Sequence, residues 1–148
     1  MYKRILVPID GSPTSSRGLN EAIALAKLTG GHIKLVHVVD THMAYIDYSG
    51  MSNIGDLINM LREAGGKVLE QARRVVESED VPVNATLVEC SSGAIAEAIL
   101  IEVKQYAAEL VVMGTHGRRG VRHLVMGSDA ESVLRQCDVP VLLVRCPA

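Results

Sequence analysis

The sequence predicts an α/β protein built on a five-stranded parallel sheet, with helices packed on both of its faces. Short apolar runs alternate with segments of helical hydrophobic period, in the order β-α-β-α-β-α-β-α-β. Such alternation is typical of a doubly wound sheet with right-handed crossovers. The 148-residue chain is 48% hydrophobic but has no Trp or Phe, so Val, Ile, Leu, Ala and Met must build its core. We expect a single domain over residues 1–148.

Five apolar runs have the length of buried strands. They cover residues 5–9, 33–39, 82–88, 110–113 and 139–144. The third run alternates between apolar and polar residues, which is typical of a strand near a sheet edge. The polar segment 40–52, which follows the second run, is expected to be a long mobile loop.

Local signals predict both ends of the first helix. Ser12 followed by Pro13 indicates its start, because a serine hydroxyl caps a helix well and proline suits the first helical position. The pair Gly30 and Gly31 indicates its end, because glycine readily adopts the left-handed conformation that closes a helix.

The remaining helices are predicted from apolar periodicity over residues 57–76, 95–103 and 128–136. Within the first of these, Gly65 and Gly66 each cost roughly 1 kcal/mol relative to Ala, so the sequence allows a bend there. Ser91 or Ser92 is expected to cap the second.

The most informative segment follows the fourth predicted strand. Gly114 and Gly117 stand three residues apart, a basic stretch follows, and Gly127 with Ser128 opens the last helix. Glycine lets a ligand approach the backbone without a Cβ in the way, and a helix N-terminus offers N–H groups at the positive end of its dipole. The spacing therefore predicts a phosphate-binding site.

Two residues at this helix start have competing interpretations. Ser128, with Glu131 three residues on, matches a capping box, but its hydroxyl also lies where a phosphate is expected. The carboxylate of Asp129 suits the helix dipole but repels a nearby triphosphate. Asp129 either points outward or helps to hold Mg²⁺ between phosphates, and the sequence leaves both open.

The basic stretch supplies further candidate phosphate ligands. One of Arg118, Arg119 and Arg122 is expected to contact a phosphate through charge-assisted hydrogen bonds, the alternative being that all three are solvated. His116 and His123 lie nearby but lack the spacing of a helical metal-binding pair, so no metal site made of protein ligands is predicted.

Open α/β sheets bind ligands beyond the carboxyl ends of their strands. If the first and fourth strands are neighbours, Asp10 faces the glycine loop and can accept a hydrogen bond from a ribose hydroxyl. Alternatively, Asp10 caps the helix that follows it. Main-chain groups of Val39, at the end of the second strand, are candidates to contact a base, unless Val39 is ordinary core.

Composition and charge exclude several function classes. With a net charge of −2 and 3% aromatic residues, the chain is not expected to bind nucleic acid. Its three cysteines form no C-x-x-C pair, so neither a zinc site nor a disulfide framework is predicted, and a reducing, cytoplasmic compartment is expected. The first apolar run is too short for a signal peptide or a membrane span.

Taken together, these segments resemble the nucleotide-binding class of the universal stress protein family. The matching segments are residues 5–12 (ILVPIDGS), 36–40 (VHVVD), 110–117 (LVVMGTHG), 127–128 (GS) and 140–145 (PVLLVR), which span nearly the whole chain. The family signature G-x2-G-x9-G-[ST] is matched by Gly114, Gly117, Gly127 and Ser128.

The resemblance implies strand order 3-2-1-4-5 in a Rossmann-like sheet, bound ATP with Mg²⁺, and a cytoplasmic regulatory function in the stress response. It also implies a homodimer joined along the fifth strand, whose apolar edge would otherwise stand open. The candidate nucleotide-binding residues are Pro8, Asp10, Val39, Met113, Gly114, Gly117, Arg118, Gly127, Ser128 and Asp129. Two residues depart from the family pattern: Asp129 replaces an apolar residue or Thr, and Glu109 replaces an Asp.

Two alternatives to a regulatory nucleotide-binding module stay open. The first is a slow ATPase or phosphotransferase, although the chain has no G-x4-G-K-[ST] motif and only Asp10 or Asp129 to position a water. The second is a dimeric interaction scaffold that binds no nucleotide.

Overall fold

The computed structural model describes residues 1–47, 53–116 and 126–147, and these residues form a single parallel sheet flanked by helices. The strands are β1 (Arg4–Pro8), β2 (His32–Asp40), β3 (Val83–Cys90), β4 (Leu110–Gly114) and β5 (Val141–Val144). The helices are α1 (Pro13–Thr29), α2 (His42–Asp47), α3 (Ile54–Ser78), α4 (Ile95–Tyr106) and α5 (Ser128–Gln136). The strand order is β3-β2-β1-β4-β5, which confirms the predicted order and the edge position of the third strand.

The two faces of the sheet carry separate apolar cores. Because side chains alternate along a strand, Ile5 and Val7 of β1 point to the face covered by α1 and α3, and Leu6 points to the face covered by α4 and α5. All three side chains are fully buried. The predicted placement of helices on both faces is therefore confirmed.

Both predicted boundaries of α1 are confirmed. The Ser12 Oγ accepts a hydrogen bond from the Ser15 N–H at 3.1 Å, and Pro13 occupies the first helical position. Gly30 ends the helix in the left-handed conformation, with φ of 62°, and its N–H donates to the Ala26 carbonyl. The start of α1 is thus fixed close to Asp10.

The prediction of a mobile loop over residues 40–52 is wrong in its first half, because α2 forms there. The Thr41 N–H donates to the Cys90 carbonyl of β3, which continues the pairing with β3 one residue beyond the end of β2. The Asp40 Oδ1 then accepts from the His42 N–H at 3.0 Å, at the point where α2 begins. Residues 48–52 lie outside the described part of the chain.

The predicted caps of α4 are wrong. The N-cap is Ala94, and no side chain bonds to the first turn from that position. Instead, the Ser92 Oγ accepts from the Ala94 N–H at 3.4 Å, within a turn that Gly93 completes with a φ of 76°. Serine therefore shapes the turn before the helix rather than the helix end itself.

The long helix α3 runs without interruption through Gly65 and Gly66. A Cβ at residue 65 would lie 2.6 Å from the His37 Cδ2 and 2.9 Å from the Leu87 Cδ1, whereas a Cβ at residue 66 would meet nothing within 4 Å. Gly65 therefore lets α3 approach β2 and β3 closely, and Gly66 faces open space.

Glu109 joins the start of β1 to the turn before β4. Its Oε2 accepts a hydrogen bond from the Lys3 N–H at 3.0 Å, and its Oε1 pairs with the Arg4 guanidinium at 3.1 Å. The Lys3 bond, followed by the charge of Arg4, lowers the pKa of the Glu109 carboxyl. Glu109, which replaces the Asp of the family pattern, therefore still provides a carboxylate that bonds to the start of β1.

All three cysteines are free thiols, with Cys90 buried, Cys137 half-buried and Cys146 exposed. Within residues 1–47, 53–116 and 126–147, no helix is both long enough and apolar enough to cross a membrane.

The two glycines of α3 are expected to respond oppositely to alanine. Gly66→Ala should raise the free energy of unfolding by up to about 1 kcal/mol, because alanine has the higher helix propensity. Gly65→Ala should lower it, because the new Cβ overlaps His37 and Leu87. Urea denaturation measures both changes, and equal stabilisation by the two variants would show that α3 lies farther from the sheet.

Candidate functional site

A cleft opens at the carboxyl edge of the sheet, because β1 and β4 separate before β1 ends. The β1–β4 ladder stops at Leu6 and Val111, whereas the β1–β2 ladder continues to Pro8 and Val36. Pro8 has no N–H to donate, so the hydrogen bond that would continue pairing with β4 cannot form. The proline of the central strand therefore marks the point from which the two strands diverge.

The cleft has a volume of about 530 Å³, within the usual range for small-molecule sites. It brings together eight of the ten predicted site residues: Pro8, Asp10, Val39, Met113, Gly114, Gly127, Ser128 and Asp129. The other two, Gly117 and Arg118, lie outside the described residues. Segments that are far apart in sequence thus converge where the sequence places a ligand.

Asp10 organises the turn between β1 and α1. Its Oδ1 accepts a hydrogen bond from the Ser12 N–H at 2.8 Å, and its own N–H reaches the Ser15 Oγ at 3.5 Å. Ser12, rather than Asp10, provides the side-chain cap of α1. The capping alternative for Asp10 is therefore wrong, and its carboxylate lines the cleft as part of a turn of Asx type.

Packing also requires a glycine at residue 114, which the sequence motif did not reveal. A Cβ at residue 114 would lie 2.7 Å from the Thr14 Cγ2 and 3.0 Å from the Thr14 carbonyl carbon. Gly18 approaches from the same helix, since a Cβ there would lie 3.5 Å from the Gly114 nitrogen. The absence of a side chain at residue 114 lets the start of α1 rest against the end of β4.

The start of α5 differs from the predicted capping box. The N-cap is Gly127, not Ser128, and Ser128 is the exposed first residue of the helix. The Gly127 N–H donates to the Thr115 carbonyl at 2.7 Å, so this amide already has an acceptor. Glu131 pairs instead with Arg135 at 2.6 Å. The N-cap glycine contributes no side chain to the first turn of α5, and this end of the helix borders the cleft.

The main-chain groups of Val38 and Val39, near the end of β2, face opposite neighbours. Successive residues of a strand direct their N–H and C=O groups to opposite neighbours. The Val36 carbonyl faces β1, where it accepts from the Ile9 N–H at 2.8 Å, and the Thr41 N–H faces β3. By this alternation the main-chain groups of Val38 face the β1 side and those of Val39 face β3. The contact of the Val39 main chain with a base stays a prediction.

The described walls of the cleft are acidic. Asp10, Asp40 and Asp129 line it together with His37 and His116, and none of the described lining residues is Lys or Arg. The three candidate loop arginines lie within residues 117–125, which the structure does not describe. In the part of the chain that the structure describes, no group of three His, Cys, Asp or Glu residues is placed to hold a metal.

Sequence reasoning missed His37 and the apolar wall of the cleft. The His37 Nδ1 lies 2.7 Å from the Ile9 carbonyl oxygen and donates to it, because a carbonyl can only accept. Leu61 of α3 and Ile95 and Ile99 of α4 supply apolar surface. The available signal for His37 was a titratable residue with two apolar residues on either side, within residues 35–39 (LVHVV).

The family of this chain follows from a match over residues 1–145 to the universal stress protein family. The chain belongs to the universal stress protein family. A universal stress protein of Thermus aquaticus is 34% identical over 145 residues, covering 98% of this chain and all of that protein. The structure of hypothetical protein MJ0577 from Methanocaldococcus jannaschii has a TM-score of 0.86 at 26% identity, covering 100% of this chain and 99% of that one.

Two more distant universal stress protein structures contain nucleotides. One, from Archaeoglobus fulgidus, is in complex with dAMP and has a TM-score of 0.68 at 21% identity, covering 97% of this chain and 98% of that one. Another is in complex with cAMP, with a TM-score of 0.67 at 20% identity and 97% coverage of both chains. At these identities the similarity to this universal stress protein is one of fold.

The packing of α1 on Gly114 makes a testable prediction for this universal stress protein without ligand. Gly114→Ala should lower the free energy of unfolding by about 1–3 kcal/mol, because the new Cβ overlaps Thr14. Adding Thr14→Ser, which removes the nearest atom, should restore part of that loss. Urea denaturation of wild type and the two variants measures this, and a Gly114→Ala protein as stable as wild type would contradict the packing explanation.

Proposed function

We propose that this universal stress protein binds an adenine nucleotide, ATP with Mg²⁺, in the cleft and acts as a cytoplasmic regulatory module of the stress response. The observation that carries the proposal is the convergence of Asp10, Gly114, Gly127 and Ser128 on one cleft of suitable volume. The dAMP and cAMP complexes of proteins with the same fold support an adenine nucleotide as the ligand.

Each part of the nucleotide has a chemically suitable partner in the cleft. The phosphates are placed at the start of α5, where the first-turn N–H groups and the helix dipole favour an anion. The Asp10 carboxylate accepts a hydrogen bond from a ribose hydroxyl. The base lies along the outer part of β2, where Val38 offers main-chain N–H and C=O groups.

A cation accompanies the phosphates in this proposal, because the described lining residues include three carboxylates and no Lys or Arg. Like charges repel strongly in a partly buried cleft. Mg²⁺ is usually held by substrate phosphates with one or two carboxylates rather than by a cage of protein ligands. Asp129, at the start of α5, is the carboxylate best placed by sequence to serve, and no described cluster forms a complete metal site by itself.

The apolar edge of the sheet supports a homodimer in the same proposal. β5 is an edge strand on which Leu142 is 38% exposed and Val141 and Leu143 are half-buried. Pairing with a second copy covers this edge. Leu142→Lys should convert the dimer to a monomer in light-scattering measurements, while Leu28→Lys, at an exposed position on α1, should not. A wild-type protein that is monomeric at all concentrations would refute the dimer.

The binding proposal is tested first by chromatography of nucleotide released from freshly purified, heat-denatured protein, and by thermal unfolding with added nucleotide. A ligand present at about a hundred times its dissociation constant stabilises by about 2.7 kcal/mol. With a dissociation constant of about 10 μM or less, ATP at about 1 mM should therefore raise the Tm by roughly 5 °C or more. No shift with ATP and Mg²⁺, and no released nucleotide, would refute the proposal.

The same titration includes a variant that separates binding from folding. Asp10→Asn keeps the Oδ1 that accepts from the Ser12 N–H but removes the charge. It should lower the Tm of the unliganded protein only slightly, because the bond from the Ser12 N–H keeps its acceptor and loses only its charge assistance. It should weaken ATP binding about tenfold, because hydrogen bonds to a charged group are the stronger ones. Unchanged affinity in Asp10→Asn would show that the carboxylate does not contact the nucleotide.

A further inference from the structure

His37 connects two elements on either side of the cleft. It lies within β2, and its Nδ1 donates to the carbonyl of Ile9, the residue that immediately precedes Asp10. The bond spans 28 positions in the sequence, whereas the side-chain bonds of Ser12 and Ser15 in the same turn are local. This geometry fixes the neutral ring in the tautomer that carries its proton on Nδ1.

Holding the Ile9 carbonyl also orients Asp10. The peptide unit is planar, so the carbonyl of one residue and the N–H of the next move together. The Ile9 N–H is held separately by the Val36 carbonyl at 2.8 Å. The Ile9–Asp10 peptide plane is held at its carbonyl by His37, and its N–H, which belongs to Asp10, reaches the Ser15 Oγ at 3.5 Å. With the preceding peptide also bonded to β2, the backbone from which the Asp10 side chain departs is held in place.

The imidazole is in turn confined by α3. A Cβ at residue 65 would lie 2.6 Å from its Cδ2 and 3.0 Å from its Nε2, so the ring occupies the space that Gly65 leaves. A side chain at residue 65 would therefore displace the ring and disturb its bond to Ile9. The contact with Gly65 therefore sets the position from which His37 reaches Ile9.

We infer that His37 is a positioning residue for the nucleotide cleft: confined by α3 at Gly65, it holds the Ile9–Asp10 peptide and thereby aims the Asp10 carboxylate. The inference rests on the proposed nucleotide binding. It assigns to His37 an effect on ligand affinity that is exerted through Asp10, without requiring His37 to contact the ligand.

Substitutions at residue 37 test which ring nitrogen matters. The side-chain amide nitrogen of Asn lies close to the position of Nδ1, whereas that of Gln lies close to Nε2. His37→Asn should keep ATP affinity within about twofold of wild type, and His37→Gln should weaken it about tenfold, the effect of one lost hydrogen bond. Isothermal titration calorimetry gives the affinities, and equal affinities for wild type, His37→Asn and His37→Gln would overturn the inference.

The neighbouring glycines of α3 provide a matched pair. Gly65→Ala displaces the imidazole and should weaken ATP binding about tenfold, whereas Gly66→Ala, whose Cβ meets open space, should bind as wild type does. Both variants add the same methyl group to the same helix. A wild-type affinity in folded Gly65→Ala would overturn the coupling of α3 to the cleft.

A measurement on the unliganded wild-type protein does not depend on variants that fold. The ¹⁵N chemical shifts of the neutral His37 ring should report a protonated Nδ1 and an unprotonated Nε2, and the opposite tautomer would overturn the inference. Failure of the wild-type chain to bind any adenine nucleotide would refute the proposed function as well. Binding by wild type that is insensitive to residues 37 and 65 would refute only the positioning by His37.

Discussion

The handedness of the crossovers determines where this protein can hold a ligand. From β1 the chain proceeds to β2 and β3 on one side, then returns to β4 and β5 on the other. Right-handed connections require the helices of these two halves to cover opposite faces, and α1 and α3 indeed pack on one face while α4 and α5 pack on the other. The connections after β1 and β4 therefore leave in opposite directions, and the space between them is the cleft.

Helix boundaries that depend on neighbouring residues could be predicted from the sequence. Boundaries and main-chain directions that depend on a contact with a segment far away in the sequence could not. Ser12 and Gly30 act on their own helix, and both boundaries of α1 are as predicted. The start of α5 depends on the bond from the Gly127 N–H to the Thr115 carbonyl, so the capping-box prediction at Ser128 is wrong. Likewise, the direction of the main-chain groups of β2 depends on which strand lies on each side, which turns those of Val38 toward the β1 side and those of Val39 toward β3.

The sequence around a glycine does not reveal every structural reason for its presence. Gly114 belongs to the pattern that predicted phosphate binding, and its missing side chain is also required where Thr14 rests on β4. Gly65 looked like a weak point in a long helix, whereas it makes room for His37. In both cases the reason is a contact between elements far apart in sequence. Residues 117–125, which include Gly117 and the three candidate arginines, lie outside the described structure, so their predicted contacts remain predictions.

The hydrogen bond between Gly127 and Thr115 has a consequence for how this fold can diversify. Thr115 is itself tied to β5, since its N–H donates to the Val144 carbonyl, so the two ends of the intervening segment meet at a base anchored to the sheet. The entropy of closing a loop rises only slowly with its length. Insertions or replacements between Thr115 and Gly127 are therefore expected to cost little stability, because the hydrogen bond that closes the segment belongs to the scaffold and keeps β4 and α5 in register.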